Sequence, residues 1–164
     1  MRRIELRSGA TRHRDAALSL TGVSAQPQKP LELILARNLL SSIITPALLV
    51  GEEGQLLFFN EAAAAMLGRR FEETGMLTSA QWTGEFGPFG TDNVPIPYDN
   101  IPATVAVRHQ RAFHGTYRIR AAGGQHADVE ASTIPIVGPG GSSGAVVIFW
   151  PVAEEKPGEG EDQG

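Results

Sequence analysis

The stretch GQLLFFNEAAAAMLG, residues 54–68, decides the fold because its hydrophobic pattern changes period at a single residue. An apolar run follows Gly54, stops at Asn60 and gives way to an alanine-rich segment that ends at Gly68. This pattern predicts a β-strand followed at once by a helix of about two turns. Asn60 is expected to cap the helix, because its side chain can accept a hydrogen bond from an unpaired backbone N–H. Gly68 is expected at the C-terminal cap.

The sequence before this stretch predicts a helix and the partner strand of a hairpin. Residues 31–43, LELILARNLLSSI, place apolar residues at Leu31 and every fourth position after it, which is close to helical spacing. Apolar residues occupy more than one stripe of this helix, so we expect it to contact two surfaces. The segments ALLV (47–50) and QLLFF (55–59) read as two strands joined by the turn GEEG.

The sequence after Gly68 predicts short helices and three more strands. A short helix is expected around 71–74, followed by an irregular stretch rich in Gly and Pro. A longer helix is expected to begin at Pro102, with Ile101, Val105 and His109 on one stripe. Alternating segments after it predict strands joined by the turns AAGGQ and VGPGGSSG. The fold class is therefore α+β, with a five-stranded antiparallel sheet, short helices inserted after strand 2 and an N-terminal flanking helix.

Charge and composition divide the 164-residue chain into three parts. Residues 1–30 carry six basic and two acidic side chains and are expected to form a flexible basic arm. Residues 31–152 carry seven basic and eleven acidic side chains and are expected to form the folded domain. Residues 153–164, with one basic and five acidic side chains, are expected to be a disordered tail.

Composition also excludes several classes of function. The absence of cysteine excludes disulfides, thiolate metal sites and thiol nucleophiles. An acidic domain argues against nucleic acid as the main partner, because phosphate contacts need clustered Lys and Arg. The longest uninterrupted apolar run, AVVIFWPVA at 145–153, is far shorter than the roughly 20 residues of a membrane helix. We expect a soluble, cytoplasmic protein without a membrane partner.

Three stretches in this order resemble the PAS domain family: PALLVGEEGQLLFFNEAAAAMLG (46–68), NVPIPYDNIPATVAVRHQRAFHGTYRIR (93–120) and GGQHADVEASTIPIVGPGGSSGAVVIFWPV (123–152). The chain departs from the family at Gly51, where Asp is common before the turn. The resemblance implies a sheet that cradles a small cavity beneath short helices. It also implies a domain that senses a ligand, light or redox state or mediates dimerisation, rather than an enzyme.

The resemblance leaves the cofactor unknown. Haem-binding relatives carry an axial ligand on the long helix, where this chain has His109, so haem is one hypothesis. Light-sensing relatives form a photoadduct through a cysteine that this chain lacks, which leaves non-covalent flavin as another. The spacing of Asp, Glu and His predicts no metal site. No acid and base stand at a recognisable catalytic spacing.

The strands are apolar on both faces, whereas the strands of a sheet with one face in water alternate between apolar and polar residues. One face is expected to take the short helices and a small apolar ligand. The other is expected to be covered by helix 31–43, from the same chain or a second copy, which favours a homodimer. From the phases of the strands and helices we expect these residues to bind the ligand: Leu49, Phe58, Met66, Trp82, Ile101, Val105, His109, Tyr117 and Val129.

The leading hypothesis is a sensory signal-transduction domain that binds a small ligand or a partner protein. The sequence shows no kinase, cyclase or helix-turn-helix segment, so signalling is expected in trans, with a role in regulation of transcription. One alternative is a ligand-free homodimerisation or adaptor module whose cavity is filled by its own side chains: Phe58, Phe59, Met66, Trp82 and Phe113. A second alternative is a small enzyme that uses the cavity.

Overall fold

The structure of the chain is a computed structural model, and it describes residues 30–152. The expected basic arm, apart from Pro30, and the expected acidic tail lie outside the described residues. Within them, five α-helices run in the order α1 (Leu31–Ser42), α2 (Glu61–Leu67), α3 (Phe71–Thr74), α4 (Ser79–Phe86) and α5 (Pro102–His109). The strands are β1 (Ala47–Gly51), β2 (Leu56–Phe59), β3 (Phe113–Arg120), β4 (His126–Gly138) and β5 (Gly141–Pro151).

The five strands form one antiparallel sheet in the order β2-β1-β5-β4-β3. The first hairpin and the last three strands meet where β1 pairs with β5, with Leu48 opposite Val147. Helices α2 to α5 lie between β2 and β3 in the sequence, and α1 precedes the sheet. The predicted α+β fold is confirmed.

Two local predictions were wrong. Residues 79–86 lie in the stretch expected to be irregular but form α4, whose first turn carries a capping box between Thr78 and Gln81. The pattern T-x-x-Q is a known signal for a helix start. The turn expected over 137–144 is only two residues long, because β4 continues to Gly138 and β5 begins at Gly141.

Each face of the sheet carries its own apolar core. On the inner face the largest buried side chains come from the strands and from α4, and they include Phe59, Trp82, Phe86, Val129 and Phe149. On the outer face, α1 of the same chain covers a second cluster. Its members include Leu33, Leu40, Ala47, Leu49 and Phe58. The expectation that both faces are covered is therefore correct.

Asn60 joins the outer helix to the sheet and to the inner helices. Its Oδ1 accepts hydrogen bonds from the backbone N–H groups of Ala47 and Ala63, each at 3.0 Å, so it caps α2 as predicted. Its Nδ2 faces three backbone carbonyl oxygens in α1 and the link to β1, at 3.2, 3.2 and 2.8 Å, those of Leu40, Ile43 and Thr45. The side chain is buried, so water cannot take the place of its amide as a hydrogen-bond partner for these backbone groups.

Replacement of this amide by a carboxylate is expected to destabilise the fold. In Asn60→Asp the acceptor oxygen remains, but the carboxylate cannot donate and meets three carbonyl oxygens. We expect the free energy of unfolding, measured with urea, to fall by about 3 kcal/mol. The control Asn38→Asp makes the same change at an exposed site on α1 and should cost about 0.5 kcal/mol or less. Equal losses in the two variants would contradict the role assigned to Asn60.

Candidate functional site

A small apolar cavity lies between the inner face of the sheet and the helices α4 and α5. Its volume is about 60 Å³. The lining consists almost entirely of apolar side chains from β1, α2, α4, α5, β3, β4 and β5 and from the segment between α4 and α5. They belong to Leu48, Leu67, Trp82, Phe86, Gly87, Pro88, Ile101, Pro102, Ala103, Tyr117, Ile119, Val129, Ala131, Val147 and Phe149.

The structure brings together at this cavity four of the nine residues predicted from the sequence: Trp82, Ile101, Tyr117 and Val129. Tyr117 and Val129 are directly opposite each other on β3 and β4. Trp82 comes from α4, and Ile101 precedes the first turn of α5. These residues therefore line one cavity, although they are far apart in the sequence.

Two predicted residues lie on the wrong face of the sheet. Leu49 and Phe58 belong to the outer cluster beneath α1, whereas Leu48 faces the cavity. Successive side chains of a strand point to opposite faces, so a phase error of one residue exchanges the two sets. Because β1 is apolar on both faces, its sequence contains no alternation that could have fixed the phase.

The predicted stripe on α5 is also wrong. The helix turns Pro102, Ala103 and Ala106 toward the sheet, while Val105 is half-buried and His109 is exposed. Neither Val105 nor His109 lines the cavity. Small residues face the sheet here because they let the helix backbone approach it closely. A prediction based on the spacing of large apolar residues therefore misses the face of α5 that packs on the sheet.

Met66, the remaining predicted residue, does not line the cavity, and the residues proposed to fill the cavity lie in different surroundings. Met66 is half-buried and packs against the inner core without lining the cavity. Phe59 is buried and makes edge-to-face contacts with Phe71 and Phe86, with ring centroids 5.4 and 6.3 Å apart. Phe113 is 45% exposed, so it does not fill the cavity as the adaptor alternative requires.

The cavity does not fit the cofactors considered from the sequence. Its volume of about 60 Å³ is well below the roughly 150 Å³ of a cavity that admits one benzene ring. A haem or the ring system of a flavin is larger still. His109 lies outside the lining and cannot serve as an axial ligand within it. Among residues 30–152, no group of three His, Asp or Glu side chains is placed to hold a metal ion.

Trp82 is fixed in the cavity wall by a buried hydrogen bond. Its Nε1–H donates to the backbone carbonyl of Gly54, in the turn between β1 and β2, at 2.9 Å. Tyr98 donates from its hydroxyl to the carbonyl of Glu53 in the same turn at 3.1 Å. The first hairpin turn is thus attached to the cavity wall, and the indole N–H has no capacity left for a ligand.

Tyr117 carries the other polar side-chain group of the lining. The ring folds back along β3 over Gly115, where an added Cβ would lie 2.7 Å from the hydroxyl oxygen. The side chain is half-buried, and this burial raises the pKa of the Tyr117 phenol above its usual value. No hydrogen bond to the hydroxyl is formed within the part of the chain that the structure describes.

Arg118 holds the segment between α4 and α5 against the edge of the sheet. Its guanidinium donates to both carboxylate oxygens of Asp128, at 2.6 and 3.3 Å, and to the carbonyl of Thr91 at 2.9 Å. Its backbone exchanges two hydrogen bonds with Phe89. The Arg118 guanidinium lowers the pKa of the Asp128 carboxyl, chiefly through the side-chain hydrogen bond. This arrangement positions Gly87 and Pro88 in the cavity wall.

Comparison with solved structures shows that the chain has the PAS fold. The PAS domain of Bordetella pertussis BvgS aligns at a TM-score of 0.52 and 17% identity, over 76% of this chain and 88% of that one. A PAS domain from Colwellia psychrerythraea aligns at 0.53 and 16% identity, over 73% and 96%. The phage VqmA–DPO complex aligns at 0.54 and 9% identity, over 74% and 53%.

Sequence comparisons add nothing to this assignment, since no family model and no curated protein matches the chain. The helices described in the structure include none that is both long and apolar enough to cross a membrane.

The ion pair between Arg118 and Asp128 predicts a pH dependence of stability. Because the folded-state pKa of Asp128 is lowered, its contribution is present above the unfolded pKa of about 4 and is lost as the pH falls through the folded value. We expect Asp128→Asn to be less stable than the wild type at pH 7 and equally stable at acid pH below that folded value. Urea denaturation across this pH range measures the difference. A difference that persists unchanged in acid would contradict the assignment.

Proposed function

We propose that this chain is a sensory signal-transduction domain that binds a small molecule in the inner cavity and thereby alters the packing of α1 on the sheet. The observation that supports this proposal is the apolar cavity between the sheet and the helices in a PAS fold. The surface of this cavity is almost wholly apolar and holds water poorly, so an apolar ligand can enter without displacing a well-bound solvent molecule.

The sheet provides the physical connection between the cavity and α1. Leu48 and Val147 face the cavity, while their neighbours Leu49, Val146 and Ile148 belong to the cluster that α1 covers. A ligand that moves β1 or β5 therefore alters the surface on which α1 rests. Binding would favour one of two packings of the helix on the sheet, and a partner would distinguish them.

The comparisons are consistent with small-molecule binding. VqmA, a protein with a similar fold, was solved in complex with DPO, and VqmA from Vibrio cholerae is described as a DNA-binding dimer of the LuxR type. We propose a role in regulation of transcription through an unidentified signalling partner. An enzymatic function has less support, because among residues 30–152 Tyr117 is the sole ionisable side chain that lines the cavity.

We further propose that the signal is read in a homodimer built on α1. Leu31, Leu35 and Leu39 recur every four residues along one flank of the helix and are 65%, 58% and 64% exposed. On the neighbouring sheet, Ile134 of β4 pairs with Val146, which lies in the cluster beneath α1, and Ile134 is itself exposed. Exposed apolar side chains that recur along one flank of a helix are typical of a protein–protein interface.

Filling the cavity is expected to abolish both ligand binding and its effect on α1. We expect dissolved xenon, a probe for apolar cavities, to shift the amide NMR signals of the cavity wall and also those of α1. Ala131→Val adds two methyl groups to the lining and should remove both sets of shifts. Ala127→Val makes the same change on the same face of β4, outside the lining, and should retain them. Shifts confined to the cavity wall would contradict the transmission to α1, and the absence of any shift in the wild type would favour the adaptor alternative.

A charge on the α1 stripe is expected to dissociate the homodimer. Sedimentation analysis of the wild type should show a dimer, and Leu35→Glu should raise its dissociation constant at least about tenfold, because a buried carboxylate without a partner is costly. Val94→Glu replaces another exposed apolar residue, distant in sequence from α1, and should leave the dimer intact. A monomeric wild type, or equal dissociation of both variants, would overturn this interface.

A further inference from the structure

We infer that the N-terminal segment, residues 1–29, docks back along α1 in an open groove between α1 and the β2 edge of the sheet. In this arrangement the uncharged residues 16–23 lie in the apolar half of the groove, and the arginines that precede them lie at its acidic half. The inference concerns the outer side of the sheet and does not depend on a ligand in the inner cavity.

The first half of the groove is apolar and open to solvent. It has a volume of about 900 Å³. Its walls come from α1, with Leu33 and Ile34, and from β2 and the segment after α3, with Leu57, Met76 and Leu77. Ile34 is 45% exposed and Met76 is 60% exposed. These walls therefore offer apolar surface that a further segment can bury.

The second half of the groove is lined by acidic side chains. It continues from the first half at Arg37 and Ser41, which line both, and it has a volume of about 480 Å³. Glu61 of α2 and Glu72 and Glu73 of α3 belong to its lining. None of these three carboxylates forms an ion pair within residues 30–152, so each can still interact with a cation.

Two arginines of the described chain also line this acidic half. The guanidinium of Arg37 lies over the rings of Phe58 and Phe71, 5.0 and 5.7 Å from their centroids, and Arg70 is exposed. The lining thus has three carboxylates and two guanidinium groups, which leaves a net negative charge. A cationic segment is attracted to this half, and an anionic one is repelled.

The N-terminal segment carries the complementary chemistry in the matching order. The chain enters the described residues at Pro30, which lines the apolar half of the groove and not the acidic half. Backward from Pro30, residues 16–28 are uncharged and include two leucines and a valine. Residues 1–15 follow, with five arginines against Glu5 and Asp15. With increasing distance from Pro30, the groove changes from apolar to acidic while the segment changes from apolar to basic.

The connection is long enough for this return along α1. Leu31 and Ser41 are about 15 Å apart along the helix axis. Residues 24–29 can span up to about 20 Å and so allow the chain to reverse, and residues 16–23 can span about 26 Å when extended. A tether of this length keeps the segment at an effective concentration on the order of millimolar at the groove, so weak contacts suffice.

Docking in the groove leaves the proposed dimer surface free. The groove is lined by Ile34 and Arg37 of α1 and by none of Leu31, Leu35 and Leu39. The segment and a second copy of the chain therefore contact different flanks of the helix. The two contacts can be tested separately.

A spin label on the arginine-rich part of the segment tests where it lies. The chain has no cysteine, so Thr11→Cys in the full-length protein provides a single site for a nitroxide. We expect the amide NMR signals of residues 61–64 and 71–74, at the acidic half, to broaden most, and those of β3, at the opposite edge of the sheet, to remain sharp. Broadening that is strongest at the start of α1 is the result for an undocked segment and overturns the inference.

Substitutions in the segment test the role of residues 16–23. Leu18→Asn combined with Leu20→Asn removes two apolar side chains from the contact and should shift the equilibrium at least about tenfold toward the undocked segment. The control Ile4→Asn combined with Leu6→Asn makes the same change at the same spacing outside 16–23 and should retain the broadening at 71–74. Equal losses of broadening in the two variants overturn the assignment.

A substitution in the groove tests the same contact from the other side. Met76→Glu places a charge in the apolar wall, at a side chain exposed enough for the fold to tolerate it, and should also release the segment. Val94→Glu makes the same kind of change at a side chain that is 58% exposed and does not line the groove. This control should keep the broadening, and its loss in both variants overturns the assignment of the groove.

Mixing distinguishes docking within one chain from docking on a second copy. Spin-labelled protein without isotope is mixed with isotope-labelled wild type, whose signals at 71–74 should stay sharp. Broadening of those signals assigns the groove to the segment of a second copy and overturns docking within one chain. All these outcomes are independent of the xenon shifts, so failure of this inference leaves the proposed function intact.

Discussion

The side chain of Asn60 is the contact on which the arrangement of the molecule depends. It lies where β2 ends and α2 begins, and it bonds simultaneously to the end of α1, to the start of β1 and to the first turn of α2. An amide can do this because it offers an acceptor and two donors within one planar group. The outer helix, the sheet and the inner helices are thereby fixed to one buried point. A hydroxyl is too short for this role, and a carboxylate lacks the donors.

The sheet separates two apolar compartments that nevertheless share their strands. Inner-facing Leu48 and Val147 contact the cavity, and outer-facing Leu49, Val146 and Ile148 support α1. In a close-packed interior a shift on one side of a strand has no void in which to be absorbed. Under the proposed function, a ligand that shifts these strands would therefore also move the surface on which α1 rests. Most elements of the cavity wall are held in place by other contacts. Trp82 is held by its hydrogen bond to the first hairpin turn, and the 87–95 segment is held by its hydrogen bond from Arg118.

Much of the fold and four of the residues that line the candidate site could be predicted from the sequence. Tyr117 and Val129 were placed at the cavity because β3 and β4 alternate in polarity, which fixes their phase. Leu49 and Phe58 were placed on the wrong face because β1 and β2 are apolar on both sides. The α5 face was wrong because alanines, not large residues, approach the sheet. The helix α4, with its wall residue Phe86, was missed although the capping pattern at Thr78 signals its start.

By itself the sequence determined the elements and their order: the change of period at Asn60, the caps, the turns and the presence of apolar residues on both faces of the strands. These features are local, since they depend on residues within a few positions of one another. Only the tertiary structure decided which residues surround the cavity and which flank of α1 remains exposed. Both depend on contacts between residues distant in the chain, such as Trp82 with Gly54 and α1 with β5, and no local pattern encodes the side on which such contacts form.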